Sequence, residues 1–183
     1  NIPRVVDPQI STTGTIAFTL TTVDWPNNRR VAHLWRINAD GSGLRRLTAD
    51  SYPGPPTPRW SPDGLSIALV TSGSLSIMQA DGSATRQVSK RTGVAEIAWH
   101  PSGQYVYFLA FDAPSDAERE RQRLRGDIRV IDQPRQRHLW RMAIADGTET
   151  RITSGADYIF AYKISTAGDR IIISRRPTNL PVD

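Results

Sequence analysis

At 183 residues, with 22% charged and 38% hydrophobic side chains, 13 glycines and 13 prolines, the chain has the size and make-up of a loop-rich globular domain. It holds no apolar run near the roughly 18 residues a membrane span needs, Asn1 opens without a basic stretch leading into an apolar one, and the absence of cysteine excludes disulfides, zinc-thiolate centres and cysteine nucleophiles. A net charge of +5 would suit an anionic polymer if the cations clustered, but they are scattered, and the one dense stretch, Arg119 to Arg137, is preceded by Asp116 and Glu118 and interleaved with Glu120, Asp127 and Asp132, so nucleic acid is not the expected partner.

Along the chain two kinds of segment alternate. The first kind begins with DPQISTTGTIAFTL from Asp7 and returns as PRWSPDGLSIALV from Pro58, IAWHPSGQYVYFLA from Ile97 and YKISTAGDRIIISR from Tyr162. Each places an apolar residue (Ile10, Trp60, Trp99, Ile164) before turn formers, then Gly14, Gly64, Gly103 or Gly168, then a β-branched or aromatic run. A glycine that accepts positive φ between two such runs spells strand, turn, strand. The run after the turn, Ile67 to Val70 or Val106 to Leu109, is apolar throughout, as in a strand covered on both faces.

The second kind is LWRINADGSGLRRLT from Leu34, LSIMQADGSATRQVS from Leu75 and LWRMAIADGTETRIT from Leu139. Its Asp-Gly pairs, at Asp40, Asp81 and Asp146, predict hairpins. One unit therefore has four strands. The turn glycines lie 50, 39 and 65 residues apart (64 − 14, 103 − 64, 168 − 103), bracketing the roughly 40 to 50 expected of four-stranded propeller blades. The expected fold is all-β: a β-propeller of about three and a half blades, with units at about 5–50, 51–91, 92–155 and an incomplete 156–183. An open arc of blades exposes apolar faces, so the chain reads as a fragment of a larger propeller.

The third unit is lengthened by an insertion, 112–137. Ser115 with Glu118 makes a capping box, Gly126 ends the helix it starts, and i,i+3 pairs such as Asp116/Arg119, Glu118/Arg121 and Glu120/Arg123 support it. A helix polar all round is either a solvated surface element or a bridge to a second body.

Reactive chemistry is hard to find. There is no Gly-x-Ser-x-Gly elbow between strand and helix and no phosphate-binding loop. His33, His100 and His138 sit in repeated strand or turn positions and read as structural, with His100 standing where the repeat has Ser; no metal site is expected. Asp40, Asp63, Asp81 and Asp146 are explained by their turns. Trp35, Trp60, Trp99 and Trp140 recur at repeat positions and read as core, and Trp25, in the loop Asp24-Trp25-Pro26-Asn27-Asn28, reads as a buried anchor in preference to the alternative, an exposed indole marking a contact surface.

The residues PRWSPDG from Pro58 followed by IALV, and the paired LW…ADG…RLT and LW…ADG…RIT from Leu34 and Leu139, resemble the propeller of the prolyl oligopeptidase family, most of all its acylaminoacyl-peptidase and dipeptidyl-aminopeptidase branches. A charged segment before an HLW strand, as in ERERQRLRGDIRVIDQPRQRHLW, is also similar to those branches, and TolB-type propellers share the WSPDG turn. The likeness runs from about Val5 to Arg176 and matches the N-terminal half or so of the family's propeller. It implies a parent serine peptidase whose α/β-hydrolase domain, carrying Ser, Asp and His, lies C-terminal to this chain, with the propeller admitting only short peptides and no cofactor required. Glu118, Arg121 and Arg125 are then the candidates for contact with that domain or for the substrate rim. The adjacent Glu-Glu pair of dipeptidyl-peptidase relatives is interrupted here, since Arg119 separates Glu118 from Glu120, which argues against dipeptidyl specificity. The alternatives are a TolB-like propeller serving as a protein–protein interaction module and a free-standing closed propeller. The compartment is left open, the cytoplasm preferred to the periplasm.

Overall fold

A computed structural model of the protein describes residues 2–50, 57–114, 116–123 and 136–177, with the side chains of 117, 118, 121 and 122 excepted. Sheet 1 consists of β1 (Arg4–Ile10), β2 (Thr15–Asp24), β3 (Arg29–Asn38) and β4 (Arg45–Arg46). Sheet 2 follows with β5 (Arg59–Trp60), β6 (Ser66–Thr71), β7 (Ser74–Gln79) and β8 (Thr85–Gln87), and sheet 3 with β9 (Ala95–Trp99), β10 (Tyr105–Phe111), β11 (Arg137–Ala143) and β12 (Glu149–Arg151). Helix α1 (Asp116–Arg123) lies between β10 and β11, and sheet 4 has β13 (Tyr158–Ile164) and β14 (Ile171–Arg176). Within every sheet the spatial order equals the chain order and all pairings are antiparallel.

The turn chemistry legible in the sequence is what joins these strands. Gly14, Gly64, Gly103 and Gly168 all have positive φ, between 72° and 81°, and each donates its N–H back to residue 11, 61, 100 or 165. The serine of the repeat has a job there: Ser11 and Ser61 accept, on Oγ, the N–H of the residue that opens the next strand, and Ser165 that of Arg170 just before β14, at 2.9 to 3.1 Å. In the Asp-Gly hairpins Asp40, Asp81 and Asp146 accept the N–H two residues on, which holds their carboxyls below the usual carboxylate range, the hydrogen bonds from Ser42, Ser83 and Thr148 being the cause.

Strand alternation then builds three layers of core. Ala17, Leu34 and Leu47 of sheet 1 meet Ile67, Leu69, Met78 and Trp60 of sheet 2. The other side chains of sheet 2, Ala68 and Leu75, with Val70 and Ile77, meet Val106, Phe108, Trp140 and Met142 of sheet 3. Tyr107, Leu109 and Leu139 of sheet 3 meet Ile159, Tyr162, Ile164, Ile171 and Ile173 of sheet 4. Both faces of β10 are thus buried, as its unbroken apolar run required.

Each first strand is also tied to the one before it. Trp60 donates Nε1–H to the Gln9 carbonyl at 3.1 Å, and Trp99 donates to the Arg59 carbonyl at 2.9 Å. In sheet 4, where Ile164 replaces the tryptophan, Tyr162 takes over, its hydroxyl directed at the Tyr107 carbonyl at 2.8 Å and the Glu96 carbonyl at 2.5 Å, and burial pushes its ionisation well above the ordinary tyrosine range. The recurring tryptophans therefore form two classes. Trp60 and Trp99 are inter-sheet donors on first strands, and on the third strands Trp140 packs in the core between sheets 2 and 3, while Trp35, expected in the core, is only half-buried on the side of sheet 1 turned away from sheet 2.

The third and fourth turns touch. His100 extends past its own turn, with Nε2 3.1 Å from the Gly168 carbonyl oxygen, so it gains a bond to a neighbouring turn that the repeat's serine does not make. A Cβ at Gly168 would lie 2.4 Å from His100 Nε2, on a backbone already at φ 79°. Gly168→Ala is expected to cost about 1–3 kcal/mol by strain and displacement of the ring, whereas Gly147→Ala, where a Cβ meets nothing, carries only the φ strain of about 1 kcal/mol. Urea denaturation of the two variants checks the difference.

Candidate functional site

A meander of four strands sends its first and third turns to one end of the sheet and its second turn and exit to the other. The Gly turns and Asp-Gly turns therefore share one end. The opposite end receives the three connections between second and third strands, and these are unequal. In sheet 2 it is a tight turn at Ser72-Gly73, with φ of 50° and 76°. In sheet 1 the hairpin is longer, ten residues per strand, tipped by Trp25 to Asn28. In sheet 3 the connection carries α1.

Trp25 is 70% exposed, which corrects the expectation of a buried anchor. The loop is held by other means: Asp24 accepts from Asn27 at 2.9 Å and from Arg29 at 3.0 Å, so the indole is not needed to fix it. Below this hairpin, on the face of sheet 1 turned away from sheet 2, lies a cavity of about 360 Å³ bordered by Asp24, Arg29, His33, Trp35, Arg46 and Asp50.

The predicted rim residues are placed only in part. Glu118 and Arg121 lie within α1, and Arg125, like the capping residue Ser115 and the terminator Gly126, falls outside the described residues. The helix carries two of the expected i,i+3 pairs, Arg119–Asp116 at 2.5 Å and Arg123–Glu120 at 2.7 Å.

Sequence reasoning missed two clusters. Glu149 accepts from Ser89 Oγ at 2.5 Å and from Arg91 Nε at 2.7 Å, and the Arg91 guanidinium stacks 3.2 Å above the Trp140 ring, bolting sheet 2 to sheet 3. The second cluster occurs twice. In sheet 3, Leu139 N–H donates to Thr153 Oγ1 (3.0 Å), Thr153 Oγ1 faces His138 Nδ1 (3.2 Å), His138 Nε2 faces Asp112 Oδ2 (3.5 Å), and Arg151 pairs with Asp112 at 3.0 Å. In sheet 1, Leu34, Thr48, His33, Asp50 and Arg46 repeat it at 3.0, 3.4, 3.9 and 2.6 Å. The order Asp, His, Thr is that of a hydrolytic triad, but each threonine oxygen is occupied by a backbone N–H within its sheet. The arrangement ties third strand to fourth. Its signal was present in the repeat as His33 and His138 before LW and Thr48 and Thr153 at the end of RLT and RIT; the aspartates, taken from unrelated chain positions, gave none.

Among the described residues no group of three or more His, Asp or Glu could hold a metal ion, and no helix is long and apolar enough to cross a membrane.

No family model and no curated protein sequence matches the chain. Solved structures do. TolB from Acinetobacter baumannii superposes with a TM-score of 0.66 at 16% identity, over 97% of this chain and 39% of that one. Uncomplexed acylaminoacyl peptidase from Pyrococcus horikoshii gives 0.65 at 15%, over 93% of this chain and 27% of that one, and the β-propeller domain of the Trilobed protease from Pyrococcus furiosus gives 0.59 at 12%, over 88% and 46%. The fold is a partial β-propeller. Its sheets are blades, and the chain spans less than half the length of each of these structures. The propeller expected from the repeat, and its likeness to propellers of the acylaminoacyl-peptidase and TolB kinds, are thereby shown at the level of fold.

Proposed function

We propose that this propeller is a non-catalytic domain restricting substrate access in a serine peptidase of the acylaminoacyl- or dipeptidyl-aminopeptidase type, whose hydrolase domain lies outside this sequence. The larger propeller in this reading rests on the outward face of blade 1. Ile16, Phe18, Trp35 and Ile37 occupy the positions of Ile67, Leu69, Ser76 and Met78 in blade 2 and of Val106, Phe108, Trp140 and Met142 in blade 3, as the matched strand registers show. In blades 2 and 3 the apolar members of that set pack on the preceding blade; in blade 1 no preceding blade covers them, and Ile10, at the position of Trp60 and Trp99, is 69% exposed. A side of this composition calls for another blade, which supports a larger propeller with units near 5–50, 51–91, 92–155 and 156–183 in it.

The gating role rests on the peptidases among the structural neighbours and on the unequal rim: the Trp25 hairpin and the insertion bearing α1 rise at the same end. Glu118, Arg121 and Arg125 are the proposed points of contact with the hydrolase domain or a short peptide.

Fluorophosphonate labelling of the native protein, with its intact mass, tests the reading. A labelled protein of roughly 600 residues or more is expected, propeller and hydrolase each being large domains. An unlabelled protein overturns it in favour of a TolB-like interaction module.

A further inference from the structure

Of the two Asp-His-Thr clusters, the one in blade 3 closes a loop. Asp112 is the first residue past β10 and His138 the second residue of β11, so their contact, reinforced by Arg151, spans the root of the connection that carries α1. We propose that Asp112, His138 and Arg151 form an acid-sensitive clasp, closed while the imidazole is neutral and loosened when it gains a second proton.

The Asp112 carboxylate defines the neutral state. Its oxygen can only accept, so the single proton of a neutral ring sits on Nε2, facing it, and Nδ1 is left to accept from the Thr153 hydroxyl, whose oxygen takes the Leu139 N–H. A second proton lands on Nδ1 and turns that acceptor into a donor, and Thr153 must then turn its own proton elsewhere. The charge it brings is poorly matched: His138 is 1% exposed, and Asp112 is already paired with Arg151. The groups facing the ring are Asp112 beyond β10, Arg151 on β12 and Thr153 just after it; on β11 itself Arg137 is turned away, donating to the Ile159 and Phe160 carbonyls of β13. Burial therefore holds the imidazole below its ordinary range, with Asp112 opposing and Arg151 assisting.

The sign follows from linkage. The opened root takes up a proton near the ordinary value of about 6.5, the closed root only at lower pH, so closure is fully favoured above about pH 7 and is eroded as pH falls below about 6.5. If the closed form stays neutral, the open fraction grows by about tenfold between pH 7.5 and 5.5. Blade 1 supplies the internal control, because its aspartate, Asp50, is 85% exposed and 3.9 Å from His33.

The experiment is amide hydrogen exchange of Leu139, corrected for intrinsic rate, with the Leu34 and Phe108 amides as references. The expected result is a rise of about tenfold in Leu139 opening from pH 7.5 to 5.5, larger than at Leu34 or Phe108, and no such rise in His138→Gln. An equal rise at all three amides, an unchanged rise in His138→Gln, or a flat wild type overturns the clasp. Should His138→Gln fail to fold, the imidazole proton resonance of His138 in the wild type decides: titration below the ordinary value of about 6.5 agrees, and titration at or above it overturns the clasp.

Discussion

Phe108→Ala is expected to lower the unfolding free energy by about 3–5 kcal/mol, the largest loss expected at any of the described residues. The ring is completely buried at the centre of β10, paired across the ladder with Trp140, and it is the largest of the fully buried side chains. It packs among Ala68 and Leu75 of blade 2 and Val106, Trp140 and Met142 of its own blade, so truncation removes the contact that joins two blades. The strands on either side are held by their ladders and cannot close the gap, which places the cost at the cavity-retaining end of the range. Chemical denaturation with an unchanged m-value would check it; a loss below 1 kcal/mol would mean that the blades slide together.

Glu149→Ala comes next, at about 2–4 kcal/mol, because it strands two donors at once. Ser89 is 1% exposed and sends its hydroxyl to one carboxylate oxygen, and Arg91 sends Nε–H to the other. Without the carboxylate the guanidinium keeps only its stacking on Trp140 and the serine keeps only its acceptor role toward the Arg91 N–H. Glu149→Gln retains one acceptor oxygen and should recover more than half of the loss. Equal losses in both variants would show that charge, and not hydrogen-bond satisfaction, holds the two blades together.

Much of this architecture could be read from residue order, and the reason is local. A glycine at positive φ, a serine hydroxyl capping the next strand and an Asp-Gly pair all act within five residues, so four turns and three hairpins stood written in Gly14, Gly64, Gly103, Gly168, Asp40, Asp81 and Asp146. The continuous apolar run of β10 announced its double burial for the same reason. What could not be read depends on separation in sequence. Ser89 and Glu149 are 60 residues apart, and Asp112 serves in blade 3 the purpose that Asp50 serves in blade 1, from a different place in the repeat. Trp25 misled because an indole between turn formers resembles an anchor, while the anchoring was done by Asp24 with Asn27 and Arg29. The candidate rim was legible as a charged helix and no further: a solvated helix carries no pattern that names the body it faces.

The strict agreement of spatial and chain order has a kinetic corollary. Every ladder joins strands adjacent in sequence, and the cores join blades 1 and 2, 2 and 3, and 3 and 4 in succession. Few loops of large entropy must close before contacts repay them, so the chain can assemble like a zipper whose teeth engage one after another.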